Sequence, residues 1–284
     1  LPSAAYGASR LLIGWAHQRG LQVASMQHGI YSLRDDYSEH MTDVLFGWGA
    51  GTIEQTSSWP EPQPRVSPVG LPGVAATRAR RAEHPPVASP SRVLIATTGL
   101  SGVPIVPATH CDAFIDVIGA GLARLAAAGA DLELRPHPSE DAARYRRLLD
   151  ARQLTVRIVS KGSFSGNASR ADIVIASTSS AAFEAAALGL PLLLWMGTAP
   201  QWIRTEHLLP PWTEHVPGTF QSSDDFVTLV DDLLMRPDRA FDLAYGLGCY
   251  LTRYAEPFRP DRFVAGLLEI SAPARRWSRN RETA

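Results

Sequence analysis

Lysine is almost missing from this chain: Lys161 is the only one in 284 residues, and every other basic side chain is arginine. With 27 basic against 28 acidic residues the formal net charge is −1. No bulk field therefore favours nucleic acid or a membrane surface, and no nucleic-acid partner is expected. Cysteine is scarce too. Cys111 and Cys249 stand alone, without a CxxC or any metal-type spacing, which fits a reducing, cytoplasmic setting and argues against structural zinc. No apolar run reaches the length of a membrane span, no signal peptide is visible, and no repeat or low-complexity tract stands out. The histidines offer no i,i+4 pair and no HExxH, and no Asp-x-Asp pattern calls for a cation, so no metal and no cofactor is expected.

What is present suits a globular α/β protein. Hydrophobic residues make up 45% of the chain, enough for substantial cores, and the length implies two domains. The chain opens at Leu1 straight into a helix over 3–19, with Leu11, Leu12 and Trp15 as its expected core positions, which reads as a piece of a longer protein. Three short strands follow, over 21–26, 43–46 and 65–69, each running into glycine as a β-to-α turn would. Residues 76–91, rich in proline and arginine, read as a linker. From residue 92 strands and helices alternate. Strands are expected over 92–97, 131–135, 155–159, 173–176 and 192–195, and helices over 108–128, 139–152, 223–235 and 261–270. Such alternation predicts a doubly wound parallel sheet. The expected domains are 1–75, a partial amino-terminal Rossmann-like unit on the acceptor side; 92–250, a nucleotide-donor-binding Rossmann-like unit; and 251–284, a terminal helix and tail.

Residues 172–191 carry the strongest chemical signal. A β-rich run ends in four hydroxyl residues, Ser177, Thr178, Ser179 and Ser180, and an alanine-rich helix begins at once, stopping at Gly189-Leu190-Pro191. Unpaired backbone N–H groups and hydroxyls then meet at the positive end of a helix beyond a strand's carboxyl end, where open α/β sheets hold phosphate. Helix capping alone accounts for one of the four hydroxyls, not for all. Glu184, one turn on, lies within reach of a ribose hydroxyl.

Three further clusters fall beyond strand ends. In Arg135-Pro136-His137-Pro138 two prolines restrict the backbone around a histidine that can donate to a phosphate oxygen, with Arg135 adding charge. Gln27-His28-Gly29 places a histidine able to accept a hydroxyl proton, or simply a turn histidine bonded to backbone. The loop from Thr97 to Gly102 includes Thr98 and Gly99 and lets backbone N–H groups approach a ligand; Lys161-Gly162-Ser163 offers backbone contacts to a base.

In this order the clusters resemble bacterial GT-B-type surface-polysaccharide transferases: capsule polysaccharide glycosyltransferases, polysialyltransferases and CDP-glycerol glycerophosphotransferases. The likeness runs over about residues 20–195, through Gln27-His28-Gly29, Val69-Gly70, Arg135-Pro136-His137-Pro138 and Asp172 to Pro191. It implies two Rossmann-like domains facing a cleft, with the amino-terminal one incomplete here. It also implies donor-phosphate binding by Arg135, His137, Thr178, Ser179 and Ser180, ribose binding by Glu184, and His28 as the base that activates the acceptor. The base-supplying acidic motif of polysialyltransferases would lie upstream of this chain. The expected activity is metal-independent transfer from a nucleotide-activated sugar to a glycan or lipid-linked acceptor, in the cytoplasm, with peripheral membrane contact left open. The alternatives are a glycerophosphotransferase, a UDP-sugar 2-epimerase and a non-catalytic nucleotide-binding module.

Overall fold

The computed structural model describes residues 7–27, 41–57, 59, 62–72, 74, 91–97, 109–138, 140–177, 179–197 and 218–271. Among these, two all-parallel sheets organise the chain. The first joins β1 (Ala24–Met26), β2 (Val44–Gly47) and β3 (Arg65–Pro68) in the order β1-β2-β3, with helix α1 (Gly7–Gln18) preceding β1 and α2 (Gly51–Thr56) between β2 and β3. The second contains β4 (Arg92–Ala96), β5 (Asp131–Arg135), β6 (Arg157–Ile158), β7 (Ile173–Ser177), β8 (Leu192–Trp195) and β9 (Thr219–Phe220). The intervening helices are α3 (Thr109–Ala127), α4 (Ala142–Ala151), α5 (Phe164–Ala168) and α6 (Ser180–Ala187), and α7 (Ser223–Met235), α8 (Pro237–Leu251) and α9 (Pro260–Ser271) follow.

Strand order in the second sheet is β6-β5-β4-β7-β8-β9. Starting from β4, the chain adds strands in one direction, returns, and adds the rest in the other. This is the Rossmann order, and its topological switch point lies between β4 and β7. Parallel strands buried on both faces read as continuous apolar runs, and β4 and β7 are of that kind. Val93 and Ile95 enter one core with Ile115, Ile118 and Leu122 of α3; Leu94 and Ala96 enter the other with Val174, Ala176 and the alanines of α6.

Beyond α8 the chain returns to the first sheet. Glu256 donates its N–H to the Trp48 carbonyl at 2.8 Å, Leu71 donates to Glu256 at 2.8 Å, and Arg259 donates to Val69 at 2.6 Å. Helix α9 then lays Phe263 against Phe46, ring centroids 4.8 Å apart. Gly70 is the tightest point of this crossing. It has φ +88°, and a Cβ there would lie 2.3 Å from the Pro257 carbonyl oxygen. Left-handed backbone alone costs a side chain about 1–2 kcal/mol, and this contact is with backbone that cannot rotate away. Gly70→Ala is expected to lower unfolding stability by about 2 kcal/mol or more, read as a fall in the urea midpoint.

Two expectations are corrected here. Leu11, Leu12 and Trp15 are not core residues: they are 78%, 46% and 48% exposed, and α1 buries Ile13 and Ala16 instead. The helix has apolar residues on two faces, and hydrophobicity alone picked the outer one. The second correction is α8, which no expected helix covered. Pro237 opens it at its first turn, where proline is tolerated, and Gly246 and Gly248 inside it look like breakers. Gly248 is there for close approach: a Cβ would lie 2.7 Å from the Leu190 carbonyl oxygen. Among the described residues no helix is long and apolar enough to cross a membrane.

Candidate functional site

Register brings the candidate residues to one edge of the second sheet. Ala96 of β4 sits opposite Arg135 of β5 on one side and Ala176 of β7 on the other. At the usual strand spacing, Arg135 and Ala176 are then roughly 10 Å apart, two strands across the switch point. His137 follows two residues beyond the first, and Ser179 and Ser180 follow just beyond the second. That span is of the size of a nucleotide's diphosphate with its ribose.

The head of α6 is built unlike a structural cap. Ser179 occupies the N-cap position with extended backbone, φ −152° and ψ 167°, yet its side chain makes no capping hydrogen bond. Its Oγ is buried and has no hydrogen-bond partner. Buried hydroxyls are almost always satisfied, so this oxygen is a candidate ligand contact. Helix α7 shows the ordinary solution in the same chain. There the Ser222 hydroxyl accepts the Asp225 N–H at 3.2 Å, and the Asp225 carboxylate accepts the Ser222 N–H at 3.0 Å. The first turn of α7 carries Asp224 and Asp225, whereas that of α6 carries no acidic residue. No acidic residue of its first turn compensates the positive end of α6.

The other end of α6 explains how it is held. Gly189, φ +71°, donates to Ala186 at 2.8 Å, and Leu190 donates to Ala185 at 3.0 Å, a Schellman stop. Between the ends, Ala182, Ala185, Ala186 and Ala187 let the helix lie close on the sheet. The helix start is thereby rigidly placed.

Arg135 reaches across to the loop after β6, donating to the Gly162 carbonyl at 2.7 Å and the Lys161 carbonyl at 3.3 Å. The Ser163 hydroxyl caps α5 by accepting the Gly166 N–H at 3.1 Å, so its oxygen is engaged there. Glu184, on α6, is linked to α5 by a hydrogen bond from the Ser165 backbone. Burial pushes the Glu184 carboxyl above its ordinary value, with the Ser165 bond and the Arg135 charge acting against that rise. His137 is exposed, two residues beyond Arg135. Partial burial of its ring lowers its pKa, the Glu140 carboxylate raises it, and Arg135 lowers it further.

The Glu184 shift has a defined sign. A carboxyl raised in the folded state adds stability below its unfolded value, and that stability is lost as pH rises through the folded value. Glu184→Gln is expected to raise the melting temperature at pH 7, with the gain vanishing once pH falls below the ordinary 4.5. Melting curves across pH check this; a gain that persists at low pH contradicts the assignment.

The structure thus places Arg135, His137, Gly162, Ser163, Ser179, Ser180 and Glu184 at or beyond the carboxyl ends of β5, β6 and β7, on both flanks of the switch point. His28, Thr98, Gly99 and Thr178 lie outside the described residues. Gln27, just before His28, is buried, and its side-chain Oε1 accepts the Trp48 N–H at 2.7 Å and the Thr52 hydroxyl at 2.8 Å. Sequence reasoning missed Glu140, whose carboxylate contacts the His137 backbone at 3.0 Å. Its only signal was an acidic residue three positions after the histidine.

No protein-family model matches the chain, and no curated protein does. Solved structures do. A CDPG-soaked variant of the wall teichoic acid polymerase TagF matches with TM-score 0.52 and 14% identity over 81% of this chain, which spans only 57% of that polymerase chain. HepE from Anabaena, solved with UDP and glucose, gives TM-score 0.54 and 10% identity over 92% of this chain and 75% of its own. MnaA from S. aureus, solved with UDP, gives 0.58 and 11% over 93% and 71%. At these identities the likeness establishes the fold: the chain has the GT-B architecture of parallel Rossmann-like sheets.

Proposed function

We propose that this chain is the donor-binding portion and part of the acceptor side of a nucleotide-sugar-dependent glycosyltransferase of cell-surface polysaccharide synthesis, working without a metal. The observation that carries the reading is the orphaned Ser179 hydroxyl at the uncompensated head of α6, beside the switch point of a Rossmann sheet. The solved structures with UDP, and TagF with CDPG, supply the ligand class by likeness of fold.

In the proposed reaction an acceptor hydroxyl oxygen attacks the anomeric carbon of the donor sugar. The bond from that carbon to the nucleotide phosphate breaks, and its electron pair leaves with the diphosphate. His137, Ser179, Ser180 and the α6 N–H groups meet the growing phosphate charge, with Thr178 in the same run and Arg135 adding positive potential. Glu184 accepts from the ribose hydroxyls, and His28 takes the acceptor proton. The acceptor proposed is a glycan or lipid-linked saccharide. Under this reading residues 92–250 form the donor unit, 1–75 part of the acceptor unit, and 76–91 the link between them.

Calorimetric titration with CMP, CDP, UDP, GDP and dTDP tests this. Clear binding of a nucleoside diphosphate supports the site and names the donor class; binding of none removes it. Incubation with a bound nucleotide's sugar separates the chemistries. Epimerised sugar formed without acceptor would mark a 2-epimerase, glycerophosphate transfer a glycerophosphotransferase, and binding without turnover a nucleotide-binding module.

A further inference from the structure

Glu140 makes an unusual set of bonds for a residue at the start of a surface helix. One carboxylate oxygen, Oε2, accepts the His137 backbone N–H at 3.0 Å and also the Thr97 hydroxyl. The other, Oε1, accepts the Tyr145 hydroxyl at 3.0 Å. The Glu140 N–H donates to the His137 carbonyl at 2.9 Å. Main chain and side chain together therefore close a four-residue turn on His137. Thr97, at the end of β4, adds a second tie, its hydroxyl oxygen accepting the His137 N–H at 2.9 Å.

These bonds are not needed to start α4. The Asp141 side chain already caps that helix by accepting the Ala143 N–H at 2.9 Å. The Glu140 carboxylate instead faces the loop that carries His137. Its anchor is firm, because Tyr145 is 1% exposed and belongs to the core with Phe114, Leu134 and Leu149. A single carboxylate thus couples the end of β4, the end of β5 and the core face of α4 to the backbone of one exposed histidine.

We infer that Glu140 is a positioning residue that holds His137 at the donor-phosphate end of the site. The inference rests on the reading of His137 as a phosphate ligand. Two prolines already restrict the backbone around His137, and the turn closed by Glu140 removes the freedom they leave. The charge of Glu140, from the α4 side, also opposes the depressing effects of burial and of Arg135, from β5, on the imidazole. A protonated ring donates to phosphate from either nitrogen.

The test compares Glu140→Gln, Glu140→Ala and Tyr145→Phe in the full chain, with three readouts: melting temperature, the His137 titration by NMR without ligand, and UDP affinity by calorimetry at pH 7. Glu140→Gln keeps the shape but removes the charge. It is expected to move the His137 midpoint downward and weaken UDP by about tenfold, the scale of one hydrogen bond to a charged group. Glu140→Ala, which frees the turn, is expected to lose about a hundredfold. Tyr145→Phe leaves Oε2 in place and is expected to change UDP affinity by less than about threefold. A lower melting temperature with an unchanged His137 titration and unchanged UDP affinity would make Glu140 structural only and overturn the inference. If the unaltered chain binds no UDP, the donor-site reading fails instead. The His137 titration still decides the coupling, since a midpoint unmoved in Glu140→Gln and Glu140→Ala overturns it without any nucleotide present.

Discussion

His137→Ala is expected to weaken nucleoside diphosphate binding by about ten- to a hundredfold while leaving the melting temperature nearly unchanged. The size follows from the loss of one charge-assisted hydrogen bond to phosphate, about 1.5–3 kcal/mol. The small effect on stability follows from position: the side chain is exposed at the end of β5, so truncation opens no cavity. The turn itself survives, because its bonds to Glu140 and Thr97 use the His137 backbone rather than the ring. Calorimetry with the tightest-binding nucleotide, paired with thermal melting, reads both quantities. Unchanged affinity in a folded variant would remove His137 from the donor site and leave the head of α6 as the sole phosphate contact. Lost affinity together with collapsed stability would contradict the local argument.

The alternation of strands and helices was legible because parallel strands buried on both faces and amphipathic helices have different periods, and glycines punctuate the turns. β5 (Asp131–Arg135) and β8 (Leu192–Trp195) fall where the pattern puts them. What escaped has physical causes. Helix α8 hides behind Pro237 and the glycines Gly246 and Gly248, and the use of Gly248, close passage over Leu190, exists only once the chain is folded. The exposed Leu11 and Trp15 show that an apolar residue on a helix need not face the core. At the site, strand-end placement of Arg135, His137 and Ser179 could be read from spacing. The ties between residues far apart in sequence could not: Thr97 and Glu140 meet across 43 positions, and Arg135 finds the Gly162 carbonyl across 27. Nor does a run of hydroxyls say which oxygen will be left without a partner. Ser179 and Ser222 both start a helix from extended backbone, yet only Ser222 makes the capping bond, and the Ser179 Oγ is left buried without one.

Ser180→Asp separates the two uses of the head of α6 because they carry opposite signs. If this end is only a helix start, an aspartate in its first turn is favourable, by about 0.3–1 kcal/mol through the uncompensated macrodipole. If the end holds phosphate, the same carboxylate stands about 5 Å from the bound anion. At an effective dielectric near 20 the repulsion is about 3 kcal/mol per pair of charges, reduced by salt at this exposed position. The expected result is a melting temperature equal to or above that of the unaltered chain, with nucleotide affinity at least about a hundredfold lower. Ser180→Ala supplies the control, removing the hydroxyl without adding charge, and is expected to cost about tenfold at most. Raising the salt concentration should recover part of the aspartate variant's affinity and little of the alanine variant's, since only the first loss is a screened charge repulsion. A more stable aspartate variant that binds nucleotide as before would mean that α6 only caps itself. The buried Ser179 oxygen would then lack a ligand to explain it.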